Sequence, residues 1–278
     1  MPRAPVVRRY VRAARAAHAV RAVAVAAPAA VVAFAAVMAL VGGLCAPVAA
    51  VELHLVGAET SFYCIPPAPG STDAPSGLAY ELAGEMARRV GHPGKIQLYP
   101  LARALMMAAT TPGTLVVPVS RIPAREKLYQ WQVPILEDDF VVVANKDAEV
   151  DISSLAAVRK LALGVVRDGA GARLAEAHGF DRISTVTHDD LNARKLSAGR
   201  IDAWLSSWNG ILSAQRNAGL RADALRRGVV VSRVKIYMAS SPELEPALMA
   251  DWRGAMDAMV RDGTYERLLK KYQYELPK

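Results

Sequence analysis

From residue 51 onward, short apolar runs rich in β-branched residues alternate with segments whose apolar positions recur at helical spacing. Val51 to Gly57 predicts a strand. Leu78, Leu82, Met86 and Val90 fall on one face of a helix over 77–90, and Gly91 ends it. The stretch 65–76 between them holds Pro66, Pro67, Pro69 and Pro75 with Gly70, which makes it a loop near the end of the first strand. Loops in that position commonly line ligand clefts.

Arg103 to Ala109 then predicts a short helix, Thr114 to Val119 a buried strand, and Phe140 to Ala144 another strand. A second series follows, with strands over 161–166, 183–187 and 201–205 and helices over 171–178 and 189–198. Ser241, Pro242 and Glu243 form a helix-start signal ahead of Leu244, Leu248, Ala255 and Met259, and Gly263 stops that helix. Thr264 opens a last helix with Leu268, Leu269 and Tyr272 facing inward. Strands alternating with helices predict an α/β protein of two lobes with largely parallel sheets.

The first fifty residues differ from all of this. Arg3, Arg8, Arg9, Arg12, Arg15 and Arg21 precede an uncharged run from Ala22 to Leu44, with no acid among them, and the run closes on Val48, Ala49 and Ala50. That is the pattern of a secretory signal peptide cleaved after Ala50, so residues 1–50 are set aside from the fold. An uncleaved anchor is the competing reading, because residues 22–44 are long enough to span a bilayer. The small residues directly after the run favour cleavage, and the destination is the periplasm.

Removing the leader changes the charge. The whole chain is +8, but its six leader arginines leave 28 basic residues against 26 acidic ones. No basic stripe with interleaved aromatics remains, so a nucleic-acid partner is not expected. Cys64 is the one cysteine after residue 50; it cannot form an internal disulfide and reads as a small buried hydrophobe. His54, His92, His178 and His188 lack metal-ligand spacing, and neither a nucleophile elbow nor a phosphate-binding glycine loop occurs. No metal, cofactor or catalytic residue is expected. The adjacent pairs Asp138-Asp139 and Asp189-Asp190 read as solvated loop and capping positions.

Four segments, in this order, resemble periplasmic solute-binding proteins of family 3, the polar amino acid type. They are the glycine-led helix from Gly77 to Gly91, the segment from Ser120 to Trp131 followed by Pro134, the turn from Ser197 to Ala203, and Asp262 to Tyr265 with Lys270, Lys271 and Tyr272. The resemblance implies a type II periplasmic binding protein fold with a ligand cleft between two lobes and two chain crossings, near Glu137 and Ser240. The first lobe would then combine 51–137 with 241–278, and the second would be 138–240. It also implies a monomer that captures a small molecule and delivers it to an inner-membrane permease or a sensor protein. A dehydratase-like enzyme on the same fold is the reading from a different class.

The resemblance also nominates residues. Arg125 matches the arginine that holds a ligand carboxylate through paired hydrogen bonds, a fork lysine cannot reproduce. Ser120 matches a hydroxyl contact, and Phe62 and Tyr63 stand where the family places an aromatic platform. Gly169, Ala170 and Gly171 open a helix whose N–H groups could grip an anion. The family's acid for the ligand ammonium should lie about five residues after Asp202, where Ser207 and Trp208 stand instead. An α-ammonium there would lose its opposite charge, which costs on the order of several kcal/mol in a closed cleft. Carboxylates without an ammonium, or larger molecules, are therefore expected ahead of ordinary α-amino acids, unless Glu59, Asp168 or Asp202 takes over.

Overall fold

A computed structural model describes residues 53–93 and 95–278. The expected leader and its cleavage point lie outside them. No helix among the described residues is long and apolar enough to cross a membrane.

The chain opens with β1 (His54–Ala58), α1 (Leu78–Arg89), β2 (Gln97–Tyr99), α2 (Leu101–Thr110) and β3 (Thr114–Ser120). A long strand, β4 (Gln130–Asn145), leads to α3 (Leu155–Val158), β5 (Ala162–Val166), α4 (Ala170–Ala177), β6 (Arg182–Val186), α5 (Asp189–Ser197), β7 (Ala203–Ser207) and α6 (Trp208–Asn217). A second long strand, β8 (Leu225–Ser240), returns the chain to α7 (Ala250–Arg261) and α8 (Thr264–Lys271). The strands lie side by side in the order β2-β1-β3-β8-β4-β7-β5-β6.

Two parallel groups flank an antiparallel centre. β1 runs parallel to β2 and β3, and β5 runs parallel to β6 and β7. β4 and β8 pair antiparallel along nearly their whole length, from Gln130 opposite Ser240 to Asn145 opposite Leu225. The expected parallel sheets are therefore present at each end, joined by strands long enough to belong to both.

Each end closes on its own core. Leu78, Leu82 and Met86 of α1 pack with Leu115 and Val117 of β3, Ile236 and Met238 of β8, and Trp252 and Met259 of α7. At the other end Val142, Leu163, Val165, Leu174 and Leu205 pack with Val231 and Val234. Full burial of each such side chain is worth about 1.5–3 kcal/mol. β8 leaves the second core at Val234 and enters the first at Ile236, opposite Leu136 on β4. Core membership thus changes between Leu136 and Phe140 on β4 and between Val234 and Ile236 on β8.

Other expectations need correcting. The strand over 140–144 is only the C-terminal end of β4, and β8 carries Arg226, Arg227, Arg233 and Lys235, which break the apolar alternation that marks strands. The helix expected from Ser241 begins only at Ala250, after a 3-10 turn over Pro246–Met249. Ser241 is fully buried beside neighbouring Ser240, whose hydroxyl accepts from Gln132 at 2.9 Å. Asp138 and Asp139 are not solvated: both are buried on β4 at the crossing. Their side chains do diverge, Asp138 toward Tyr63 and Asn209, Asp139 toward Arg227 and Arg233.

Gly77 shows why one glycine is needed. It holds φ at +115°, and an added Cβ would stand 2.5 Å from the Tyr63 carbonyl. α1 can therefore start directly against the segment that carries Phe62 and Tyr63.

Candidate functional site

Where the first and second lobes face each other they enclose a cavity of about 80 Å³. Four sequence candidates reach it from the first lobe: Phe62 and Tyr63 after β1, Ser120 at the end of β3, and Arg125 in the 3-10 turn Pro123–Arg125. Gly169, Ala170, Gly171 and Ser207 reach it from the second. Trp208 does not. Its indole donates to Glu275 at 2.7 Å and its ring lies under Arg227, 4.7 Å from the guanidinium carbon.

Arg125 is buried, at 6% exposure. It is not the partner of neighbouring Glu126, which pairs with Arg121 instead. Its guanidinium donates to two backbone carbonyls, Ser120 at 3.4 Å and Asp168 at 2.9 Å, the second across the cleft. Neither carries a formal charge. Burial therefore pulls its pKa down to about 10, with the nearby Arg173 adding to the effect, and the group stays protonated at neutral pH. Asp168 holds φ at +59°, an unusual conformation for a residue with a side chain, and in it presents its carbonyl to Arg125.

Opposite Arg125, α4 begins at Ala170 with no side chain capping its first turn. Unpaired N–H groups and the positive end of the helix dipole suit an anion. An added Cβ at Gly171 would lie 2.8 Å from the Leu205 carbonyl, so glycine lets this helix end press against β7. Ser207 has a structural role as well: its hydroxyl accepts from Gly210 N–H at 3.3 Å and caps α6.

The two aromatics divide their tasks. The Phe62 ring packs edge-on against Tyr63 and stacks on Tyr274, with centroids 5.1 and 6.2 Å away. The Tyr63 hydroxyl donates to Asp138, which also accepts from the Asn209 side chain at 3.0 Å and the Asn209 backbone N–H at 3.3 Å. Burial raises Asp138 to about 6 in spite of these donors, and raises the Tyr63 phenol well above its ordinary value. Ser213 of α6 also donates to the Ser61 carbonyl at 2.6 Å, so lobe-to-lobe contacts flank the cavity.

One acid went unrecognised in the sequence. Asp189, the first residue of α5, lines the cavity, and its carboxylate accepts from Trp204 Nε1 at 2.9 Å and Ser206 Oγ at 2.8 Å. Glu59 also lines it; Asp202 does not, since its carboxylate accepts from the Ala162 N–H at 2.7 Å and braces the turn before β7. Spacing from the Ser197–Ala203 turn pointed to the end of β7, but the acid on that wall comes from the preceding helix. Cys64 is fully buried, and its thiol is pushed up by that burial. Among the described residues no group of His, Cys, Asp and Glu could hold a metal ion.

Two α/β lobes joined by paired strands, with a small charged cavity between them, define a solute-binding protein of the periplasmic binding protein fold. The model of the bacterial extracellular solute-binding proteins, family 3, matches residues 62–275, and the chain belongs to that family. Among solved structures it is similar to a histidine kinase sensor domain related to periplasmic binding proteins, at TM-score 0.71 and 17% identity over 82% of this chain and 98% of that one. It is also similar to a mutant of ArgBP from T. maritima, at TM-score 0.68 and 17% identity over 81% and 96%. A third is the arginine-, lysine-, histidine-binding protein ArtJ from Geobacillus stearothermophilus, at TM-score 0.66 and 16% identity over 82% and 97%. No curated protein matches the sequence.

Proposed function

We propose that this protein captures a small carboxylate-bearing solute between its lobes, holding the anion on Arg125, and delivers it to an inner-membrane permease of an ABC-type uptake system. Residues 51–137 and 241–278 act as one lobe and 138–240 as the other, with the hinge on β4 and β8 and the end of β8 from Ile236 packing on the first core. The single observation that carries the proposal is a buried guanidinium that hydrogen-bonds only neutral carbonyls while lining a cavity, with the uncapped start of α4 on the facing wall. A bound carboxylate would replace those carbonyls with a charged, two-pronged partner. Ser120 and the α4 N–H groups complete the anion site, and Phe62 and Tyr63 close it from above.

Export to the periplasm with cleavage after Ala50 belongs to the same proposal, and so does action as a monomer. A sensory role is the second reading, favoured by the similarity to a histidine kinase sensor domain. A permease and an ATPase encoded beside the gene would support uptake, and their absence would support sensing. The binding claim is tested by a thermal-shift screen of the protein against amino acids, organic acids and short peptides. Stabilisation by a carboxylate is the expected result; a screen in which only uncharged solutes stabilise the protein would reject it.

A further inference from the structure

We propose that the segment after α8, Gln273 to Lys278, is a strap that holds the two lobes together, and that Tyr274 and Glu275 within it are positioning residues for binding, acting through Phe62 and Asn209. Neither lines the cavity. The capture of a solute on Arg125 assigns no part to these residues, and the strap does not depend on which solute is held.

The strap starts on the first lobe. Gln273 holds φ at +52°, a left-handed conformation that glycine usually takes just past a helix. Its N–H donates to the Lys270 carbonyl at 3.0 Å, and that of Tyr274 donates to Leu269 at 2.9 Å, so the chain leaves α8 by a defined turn. Tyr272 and Tyr274 pack on the first core. The Tyr272 hydroxyl accepts from Gly77 N–H at 3.0 Å and donates to Glu81, and the Tyr274 hydroxyl donates to the Glu137 carbonyl. The segment then reaches the second lobe. Asn209, buried at the start of α6, grips both backbone groups of Glu275: its Nδ2 donates to the carbonyl at 2.9 Å and its Oδ1 accepts from the N–H at 2.8 Å. An asparagine amide carries both a donor and an acceptor, so one side chain suffices for this. The Glu275 carboxylate accepts from Trp208 Nε1 at 2.7 Å, and Lys278 accepts from Arg233 and donates its N–H to Asp139 at 3.3 Å.

Both aromatic residues of the cavity are tied to this strap. Phe62 stacks on Tyr274 and meets Tyr272 edge-on, each with centroids 6.2 Å apart. Tyr63 reaches it through Asp138, which accepts from the Tyr63 hydroxyl and from the same Asn209 Nδ2 that binds Glu275. Opening the cleft would carry Asn209 and Trp208 away from α8 and break these bonds. Contacts made only with the lobes together favour that form and slow the release of whatever lies between them. A segment that merely ended α8 would need Tyr272 and Tyr274, but no contact with Asn209 or Trp208.

The test is hydrogen–deuterium exchange of the protein without ligand, read by mass spectrometry over residues 168–173. Ala170, Gly171 and Ala172 in this stretch are buried at the uncapped start of α4, where Asp168 meets Arg125 across the cleft. Among the described residues it shares no hydrogen bond with 273–278. Glu275 is exposed, and Glu275→Pro removes both its N–H and its carboxylate. Losing one net hydrogen bond shifts an opening equilibrium by about fivefold, so exchange over 168–173 should rise about fivefold or more while α1 exchanges as in the wild type. Asn209→Ala, which releases the strap from the other side, should do the same. Glu275→Gln, which keeps the N–H and an acceptor for Trp208, should match the wild type. Changes confined to 208–217 and 272–278 would overturn the proposal, because the cleft would then stay closed without its strap. An equal rise in α1 would also overturn it, by making the segment a support of the whole fold. If Asn209→Ala folds poorly, Glu275→Pro decides the question alone.

Discussion

Charges at the hinge and charges in the cavity are treated in opposite ways. Asp139, fully buried on β4, is met by Arg227 at 2.7 Å and Arg233 at 2.9 Å. Burial alone would push its carboxyl upward, but Arg233 and Arg227 outweigh it and hold the group below its ordinary value. Arg125 and Asp189 in the cavity hydrogen-bond only neutral groups within the chain. A buried charge with its counter-charge built in serves the fold; one left with neutral groups can be completed by a ligand.

The sharpest way to break this contrast is to remove the built-in charge. Asp139→Ala leaves Arg227 and Arg233, both on β8, without the carboxylate they share, and stability should fall by about 1–3 kcal/mol. Urea denaturation measures it. A loss below about 1 kcal/mol would mean that the arginines simply turn to water and that the hinge pair contributes no more than a surface ion pair.

Asp138, next along the strand, offers a test by pH. Its folded value of about 6 lies above the ordinary 3.8, so between those values the folded protein keeps a proton that the unfolded chain has released. Its contribution to stability therefore falls as pH rises from about 4 to 6 and is constant above, where the ionised form costs about 3 kcal/mol. Asp138→Asn keeps a carbonyl to accept from Tyr63 and removes that dependence. The variant should gain on the wild type between pH 4 and 7; an unchanged difference at the two ends would show that Asp138 does not titrate in this range.

The smallest effect separates capping from binding in the cavity wall. Ser207→Ala removes the cap of α6 and should cost about 1 kcal/mol of stability, measured by thermal denaturation. The affinity for a ligand should change little if the hydroxyl is already engaged by Gly210 N–H. A large loss of affinity with normal stability would make Ser207 a ligand contact after all.

The sequence alone made legible whatever rests on local pattern. The helix α1, the end of β3 and the turn with Arg125 follow from apolar spacing, glycines and a recognisable segment, and the first wall of the cavity was nominated residue by residue. The second wall was harder because its acid is distant from the motif that announces it. Asp189 carries an ordinary helix-start signal, and only the meeting of α5 with β7 turns it toward Trp204 and Ser206. β8 was hidden for a different reason: its arginines and lysine, two of which serve the hinge aspartate, erase the alternation that would mark a strand. α6 was hidden by Asn209, Ser213 and Gln215, buried polar residues of which the first two bind across the molecule and the third the Arg221 carbonyl just beyond the helix.

The central claim is that Arg125 holds the anionic group of the captured solute. Calorimetry with the tightest-binding carboxylate found in the thermal-shift screen tests it most directly, comparing the wild type with Arg125→Ala and Arg125→Lys. Folding should be little affected, while Arg125→Ala should weaken binding by about 2–5 kcal/mol and Arg125→Lys should recover only part of the loss, because it restores charge without the fork. Unchanged affinity in Arg125→Ala would contradict the account and place the ligand's anion elsewhere.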